Sequence, residues 1–238
     1  MVKVFLAGAG PGDPELLTLK TARLLDSAEV VLHDSLVGPE ILKLIHPDAD
    51  VIDVGKRCGQ VSTAQAEICR LLVESALTGK KVLRLKGGDS VIFGRLTEEM
   101  EALHQAGIDF EVVPGVTAAS AAAAALKVSL TQRQVARSLH IVTGHGAERG
   151  LPVHNWAALT QAGGTLAIYM GSKYLQGLVE KLLKAGASAE LPAVAVEWAS
   201  LPGQRIIRAS LAQMPEAITR AVPTGPVLLL AGEVLAGN

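Results

Sequence analysis

Two glycine-rich segments, each set directly behind a short apolar run, constrain this chain more than any other feature. Gly8-Ala9-Gly10-Pro11-Gly12-Asp13-Pro14-Glu15-Leu16-Leu17-Thr18 follows the run Val2 to Ala7, and the block Arg84 to Arg95, centred on Gly87-Gly88-Asp89, closes the run Lys81 to Leu85. Short apolar runs of this kind read as buried strands, so both clusters fall at strand ends. In an open α/β sheet that edge is where ligands bind, and glycine there lets the backbone approach a ligand closely. Either loop alone is equally a tight turn. The first is not a G-x-G-x-x-G fingerprint, because Pro11 and Gly12 follow at once. Asp89, behind two glycines, either meets a cationic amine or caps the next turn.

The rest of the chain alternates strand and helix. Strand-like runs recur at Glu29 to His33, Val51 to Val54 and Phe110 to Val113. Asp13-Pro14 reads as an N-cap with proline at the first helical position, Ser62 with Gln65 as a capping box, and Gly79 and Gly107 as helix ends. After Pro114 the texture changes to an alanine-rich helix, Thr117 to Leu126, expected to lie buried under a sheet. Strands are then expected at 139–143, 165–170, 193–197, 204–209 and 226–231, with helices near Trp156 and over 173–185 and 211–221. Pro202-Gly203 between two of these strands signals a hairpin, so the second sheet should be mixed. The expectation is two α/β domains, 1–114 with a mostly parallel sheet and 115–238 with a mixed one, and a ligand cleft between them.

At 238 residues and 49% hydrophobic the chain can bury a sizeable core. Aromatics make up 3% and the formal net charge is −1, which argues against a base-stacking nucleic-acid binder and gives no global attraction for polyanions. The N-terminus shows no signal-peptide pattern and no apolar stretch approaches a membrane span. The two cysteines, Cys58 and Cys69, fit neither a zinc site nor a redox pair, and the histidines show no ligand spacing, so no metal is expected and a reduced cytoplasm is the simplest setting. Packing or solvated roles are the default for His46, His104, His140 and His154, and a solvated helix face for Arg137.

Taken together with His33-Asp34, Val54-Gly55-Lys56-Arg57, Val113-Pro114-Gly115-Val116-Thr117-Ala118-Ala119-Ser120, Thr143-Gly144-His145, Tyr169-Met170-Gly171 and Gly232-Glu233-Val234, the two glycine blocks are far more specific. The chain resembles the tetrapyrrole methylases that use S-adenosylmethionine, and within them the uroporphyrinogen-III C-methyltransferases, from residue 6 to residue 234. The resemblance implies S-adenosylmethionine bound by Pro11, Gly87, Gly88, Asp89, Ile92, Thr117, Ala118, Met170, Ala199 and Val227, with S-adenosylhomocysteine as product. It implies Asp34 as proton acceptor, Lys56 as proton donor and Arg95 as a further catalytic position, and Glu98, Arg133 and His145 as substrate contacts. A guanidinium does not readily give up its proton, so Arg95 is assigned to electrostatic clamping of a substrate carboxylate.

The chemistry implied is methyl transfer from a sulfonium to C2 and C7 of uroporphyrinogen III, giving precorrin-2, with each transfer followed by loss of a proton. Alignment of carbon, methyl and sulfur should supply much of the rate, and the base serves only the later step. A homodimer is also implied. The chain departs from the family at Ser35, Ser90, Leu96-Thr97 and Gln132, departures expected to concentrate on the substrate side. A methylase of a later precorrin, or a binding protein without turnover, are the alternatives.

Overall fold

The computed structural model describes residues 4–55, 64–146 and 150–237. The chain forms two compact units, Met1–Ala118 and Ala119–Asn238.

The first unit is built on β1 (Val4–Gly8), β2 (Val30–His33), β3 (Asp50–Asp53), β4 (Val82–Lys86) and β5 (Phe110–Val113), in the order β3-β2-β4-β1-β5, all parallel. Side chains of a strand alternate between faces, and here both faces are apolar. Phe5 and Ala7 of β1 pack with Leu24 and Leu25 of α1 (Leu19–Ser27) on one side. Val4 and Leu6 pack with Leu72 of α3 (Gln65–Leu77) and Leu103 of α4 (Leu96–Gln105) on the other. This is why the strands read as unbroken apolar runs rather than alternating ones. β3 is an edge strand, and its exposed Asp50, Val51 and Asp53 mark it as such.

Strand order also fixes where a ligand can enter. The crossover from β1 passes over the α1 face to β2, whereas the crossover from β4 passes over the α4 face to β5. Neighbouring strands whose connections leave to opposite faces open a crevice at their carboxyl ends. Both glycine blocks sit at that switch point.

The second unit carries β6 (Leu139–Thr143), β7 (Thr165–Tyr169), β8 (Pro192–Glu197), β9 (Arg205–Ser210) and β10 (Val227–Ala231), ordered β6-β7-β10-β8-β9. β6 and β7 are parallel and the other pairs antiparallel, so the sheet is mixed as expected, with β8 and β9 forming the hairpin. Its faces are divided in the same way. Ala193, Ala195 and Leu229 pack with α7 (Leu175–Lys184) and α8 (Met214–Ala221), while Val194, Val196, Leu228 and Leu230 pack on α5 (Ala118–Leu126). The alanines of α5 let it lie close beneath the sheet. α2 (Pro39–Leu42) and α6 (Trp156–Ala162) complete the α-helices among the described residues.

Local departures have local causes. Asp13 does cap a helix, accepting from Glu15 N at 2.9 Å, but that helix is one 3₁₀ turn, Pro14–Leu16. α1 starts afresh at Leu19 under Thr18, whose hydroxyl accepts from Thr21 N at 3.1 Å. α8 starts at Met214 rather than Leu211, with Pro215 in its first turn. Gly79 and Gly107 end α3 and α4 with φ of +80° and +67°. Ser62 of the expected capping box lies outside the described residues.

Candidate functional site

The carboxyl edge of the first sheet is a backbone-on-backbone assembly. Ala9 N donates to Lys86 O at 2.7 Å, and Gly10 and Gly88 exchange hydrogen bonds at 3.0 and 2.8 Å before the two loops diverge. A Cβ on Gly8 would stand 2.6 Å from Gly88 O and 2.8 Å from Gly115 Cα, so these glycines are needed for chain packing. Gly88 differs. Its φ is +69°, and a Cβ there would meet nothing within 4 Å. The loop turns at Gly88 toward open space, the room a bound group such as S-adenosylmethionine needs. Asp89 Oδ1 accepts from Val91 N at 3.2 Å and Gly115 N at 3.4 Å, so the capping role is real and fixes the carboxylate beside Gly88. Pro11 and Ile92 are half-buried in the same two loops.

Asp34 leaves the end of β2 on the same edge, its amide donating to Leu85 O at 3.3 Å. Its side chain reaches the neighbouring strand β4. Oδ1 accepts from Arg84 Nη2 at 2.6 Å. Arg84 is 2% exposed, and its Nε donates to Glu99 Oε1 at 2.9 Å, while Lys86 Nζ donates to both Glu99 oxygens at 2.8 Å. Burial alone would lower the Arg84 pKa, but Asp34 and Glu99 outweigh it and raise it. Lys86 goes the other way, pushed down by burial and by Arg84 against the pull of Glu99. None of Arg84, Lys86 and Glu99 was among the expected site residues. The signal was present: Arg84 and Lys86 occupy alternate positions of an otherwise apolar strand, which puts two cations on one buried face.

Arg95 stands at φ +52° as the N-cap residue of α4, exposed, with Nε and Nη2 on Glu98 Oε1 at 2.9 and 2.7 Å. The structure thus brings two expected site residues together. Lys56 lies outside the described residues. Two of the family departures have structural roles. Ser90 is fully buried with its hydroxyl donating to Val113 O at 3.5 Å, and Leu96 begins α4 packed against the core, so neither belongs to an open substrate loop.

In the second unit, register gathers further candidates on one edge of the sheet. Thr143 pairs with Tyr169 and Glu197 with Val227, so His145, Met170, Ala199 and Val227 follow or open strands at the same end. Met170 is half-exposed at φ +55°, and Ala199 is buried between Trp198 at +51° and Ser200 at +69°. The Tyr169 hydroxyl accepts from Ala119 N at 2.9 Å, next in the chain to Thr117 and Ala118. Below this edge Glu197, fully buried, accepts from Thr224 N and Gly225 N at 2.6 and 2.8 Å and from Arg205 Nε at 2.6 Å. Burial would raise its pKa; these donors outweigh it and lower it. Arg133 is placed differently. It lies in a turn closed by Gln132 and Ala136, lining a cleft of about 590 Å³ with Arg137. The start of that segment, Leu130, is tied to Thr165 at the opposite end of β7 from Met170. Arg137 directly follows this turn and is not on a helix. His154 packs edge-on against Trp156, and no group of three His, Cys, Asp or Glu suited to a metal occurs among the described residues.

Comparison with known proteins agrees with this architecture. The family of Tetrapyrrole (Corrin/Porphyrin) Methylases matches residues 3–215. Siroheme synthase 2 of Halorhodospira halophila is 46% identical over 97% of the chain, and siroheme synthase of Azotobacter vinelandii 45% over 98%. The chain spans about half the length of these curated relatives, 46% and 50%. Among solved structures, a uroporphyrin-III C-methyltransferase from Thermus thermophilus complexed with S-adenosyl homocysteine has a TM-score of 0.84 at 39% identity, covering 98% of this chain and 99% of that one. A cobalt precorrin-4 methyltransferase has a TM-score of 0.87 at 30% identity, with 98% and 95% covered. With the family match running from residue 3 to residue 215, the chain belongs to the tetrapyrrole methylase family.

Proposed function

We propose that this chain transfers methyl groups from S-adenosylmethionine to C2 and C7 of uroporphyrinogen III, giving precorrin-2. The observation that carries the proposal is the carboxyl edge of the first sheet, where Gly88 turns toward open space beside a fixed Asp89 while Asp34 emerges from the neighbouring strand. The resemblance to the Thermus thermophilus enzyme over 98% of the chain supports the choice of substrate and donor.

S-adenosylmethionine supplies an electrophilic methyl group on sulfur. The chain's part is to hold the reacting atoms in line and to take up the proton lost afterwards. Asp34 is the acceptor in this reading, and Lys56 the donor. Arg95, oriented by Glu98, clamps a substrate carboxylate through its planar fork. Gly87, Gly88, Asp89, Pro11 and Ile92 from the first unit, Thr117 and Ala118 at its end, and Met170, Ala199 and Val227 from the second hold the donor. Arg133 and His145 meet the tetrapyrrole's acidic side chains. A cytoplasmic homodimer completes the proposal, and among the described residues no helix is long and apolar enough to cross a membrane.

The test is incubation with freshly reduced uroporphyrinogen III and S-adenosylmethionine. A mass gain of two methyl groups is expected. S-adenosylhomocysteine binding with no mass gain would favour the second reading, a methylase of a later precorrin, which the likeness to the cobalt precorrin-4 enzyme motivates.

A further inference from the structure

The buried charges beneath Asp34 have no part in the function proposed above, and stability does not account for them. Replacing a buried ion cluster by apolar residues of similar size is often neutral or stabilising. Arg84 could be an apolar residue like Val82 on the same strand, yet it is a guanidinium engaged on every side. Nε donates to Glu99, Nη1 to Leu85 O at 3.1 Å and to Leu32 O at 3.5 Å, and Nη2 to Asp34.

We propose that Arg84 is a positioning residue for Asp34, holding one carboxylate oxygen so that the other is presented to the substrate. This rests on the reading of Asp34 as proton acceptor. The Asp34 main chain is held at both ends: its amide donates to Leu85 O, and its carbonyl accepts from Val37 N and from His33 Nδ1, each at 3.1 Å. With the backbone fixed and Oδ1 bound at 2.6 Å, the side chain has one orientation, and Oδ2 makes no hydrogen bond among the described residues. Among the charged and titratable groups of the neighbouring elements are Lys86 on β4, Glu99 on α4, His33 on β2 and its register partner Asp53 on β3. Glu99 fixes the far edge of the guanidinium and Lys86 fixes Glu99, so the cluster acts as a chain of braces. In the step itself the bonding pair of the substrate hydrogen stays with the ring and the proton moves to Oδ2. Asp34 becomes neutral, and Arg84 keeps its own proton throughout.

The experiment is a double-mutant cycle on the full chain. Arg84→Met should lower kcat about ten- to a hundred-fold, the equivalent of one charged hydrogen bond. KM and the affinity for S-adenosylhomocysteine should stay unchanged, and Arg84→Lys should recover part of the loss. On an Asp34→Asn background Arg84→Met should cost nothing further in kcat, because a residue acting only through Asp34 has nothing left to orient. Losses that multiply, or a fall in cofactor affinity in step with kcat, would overturn the proposal. Should Arg84→Met not fold, Arg84→Met with Glu99→Gln removes one charge of each sign and takes its place in the cycle. Full turnover by Asp34→Asn would instead remove the underlying reading of Asp34, an outcome separate from multiplying losses.

Discussion

Glu99→Gln tests the buried cluster through stability alone, without substrate. In the parent protein Asp34, Glu99, Arg84 and Lys86 form two carboxylates against two cations, with Glu99 fully buried and holding three contacts of 2.8–2.9 Å. The amide leaves one buried cation in excess. Removing one partner of such a group costs about 3–5 kcal/mol, which for a chain of this size is a fall in Tm of roughly 6–20 °C. Lys86 can relieve part of it by giving up its proton. Burial and Arg84 already hold its pKa below the ordinary value of 10.5, and Glu99 is a principal force pulling it back. Without Glu99 the value falls further, while the unfolded lysine still binds its proton. The unfolded state then holds more protons than the folded one, so stability rises with pH, by about 1.36 kcal/mol per unit at most, until the ordinary lysine value is reached. This rise starts at a lower pH in the variant than in the parent. Thermal melts at pH 6, 7, 8 and 9 should therefore show the gap narrowing toward alkaline pH. Adding Lys86→Met should restore most of the loss at pH 6. A gap independent of pH, or one below about 1 kcal/mol, would refute the account of the cluster.

Three further outcomes follow from single sites. Gly88→Ala should fold with a loss of about 1–2 kcal/mol for its left-handed backbone and yet bind S-adenosylhomocysteine poorly in calorimetry, whereas Gly8→Ala, driven against Gly88 O and Gly115, should not give soluble folded protein. Gly225→Ala places a methyl group against the Trp198 indole and should shift tryptophan emission to longer wavelength; an unchanged spectrum would mean that the ring does not lie over this turn. Glu197→Gln should destabilise at neutral pH and converge with the parent in acid. The lowered pKa of Glu197 confers stability that is present above the ordinary value of 4.5 and lost as pH falls through the folded value, so melts whose gap does not shrink as the pH is lowered below 4.5 would contradict it.

The central strands were legible because burial on both faces writes itself as apolar runs, as in Val4–Gly8 and Val227–Ala231; the half-buried edge strands Phe110–Val113 and Leu139–Thr143 also fall where they were expected, and the hairpin turns at Pro202-Gly203. Helix starts were less so. Asp13-Pro14 and Lys173 each sit on a 3₁₀ turn that precedes the α-helix, since a local cap says where a turn begins and not how far it continues. The glycine edge was legible as backbone chemistry, which depends on neighbours in sequence. The Asp34–Arg84–Glu99–Lys86 cluster was not, because Asp34 meets Arg84, and Arg84 meets Glu99, only after two strands and a helix have assembled. Arg137 was misread for a similar reason, as a turn closed by Gln132 and Ala136 carries no helical or strand period.

The contrast between the two sheets bears on how the chain acquires its structure. Among the described residues the five strands of the first unit all pair in parallel, and β1 waits for β4, some eighty residues later in the chain, before its central ladder can form. The second unit contains one pairing that needs almost no chain closure, β8 with β9, from Glu197 opposite Arg205 to Pro192 opposite Ser210. Hairpins form in microseconds, while long crossovers must first give up loop entropy. The second unit therefore holds a pairing that can form fast, whereas the central ladder of the first unit has to wait for a long crossover. β1, apolar on both faces, spends the longest time without its partner strand.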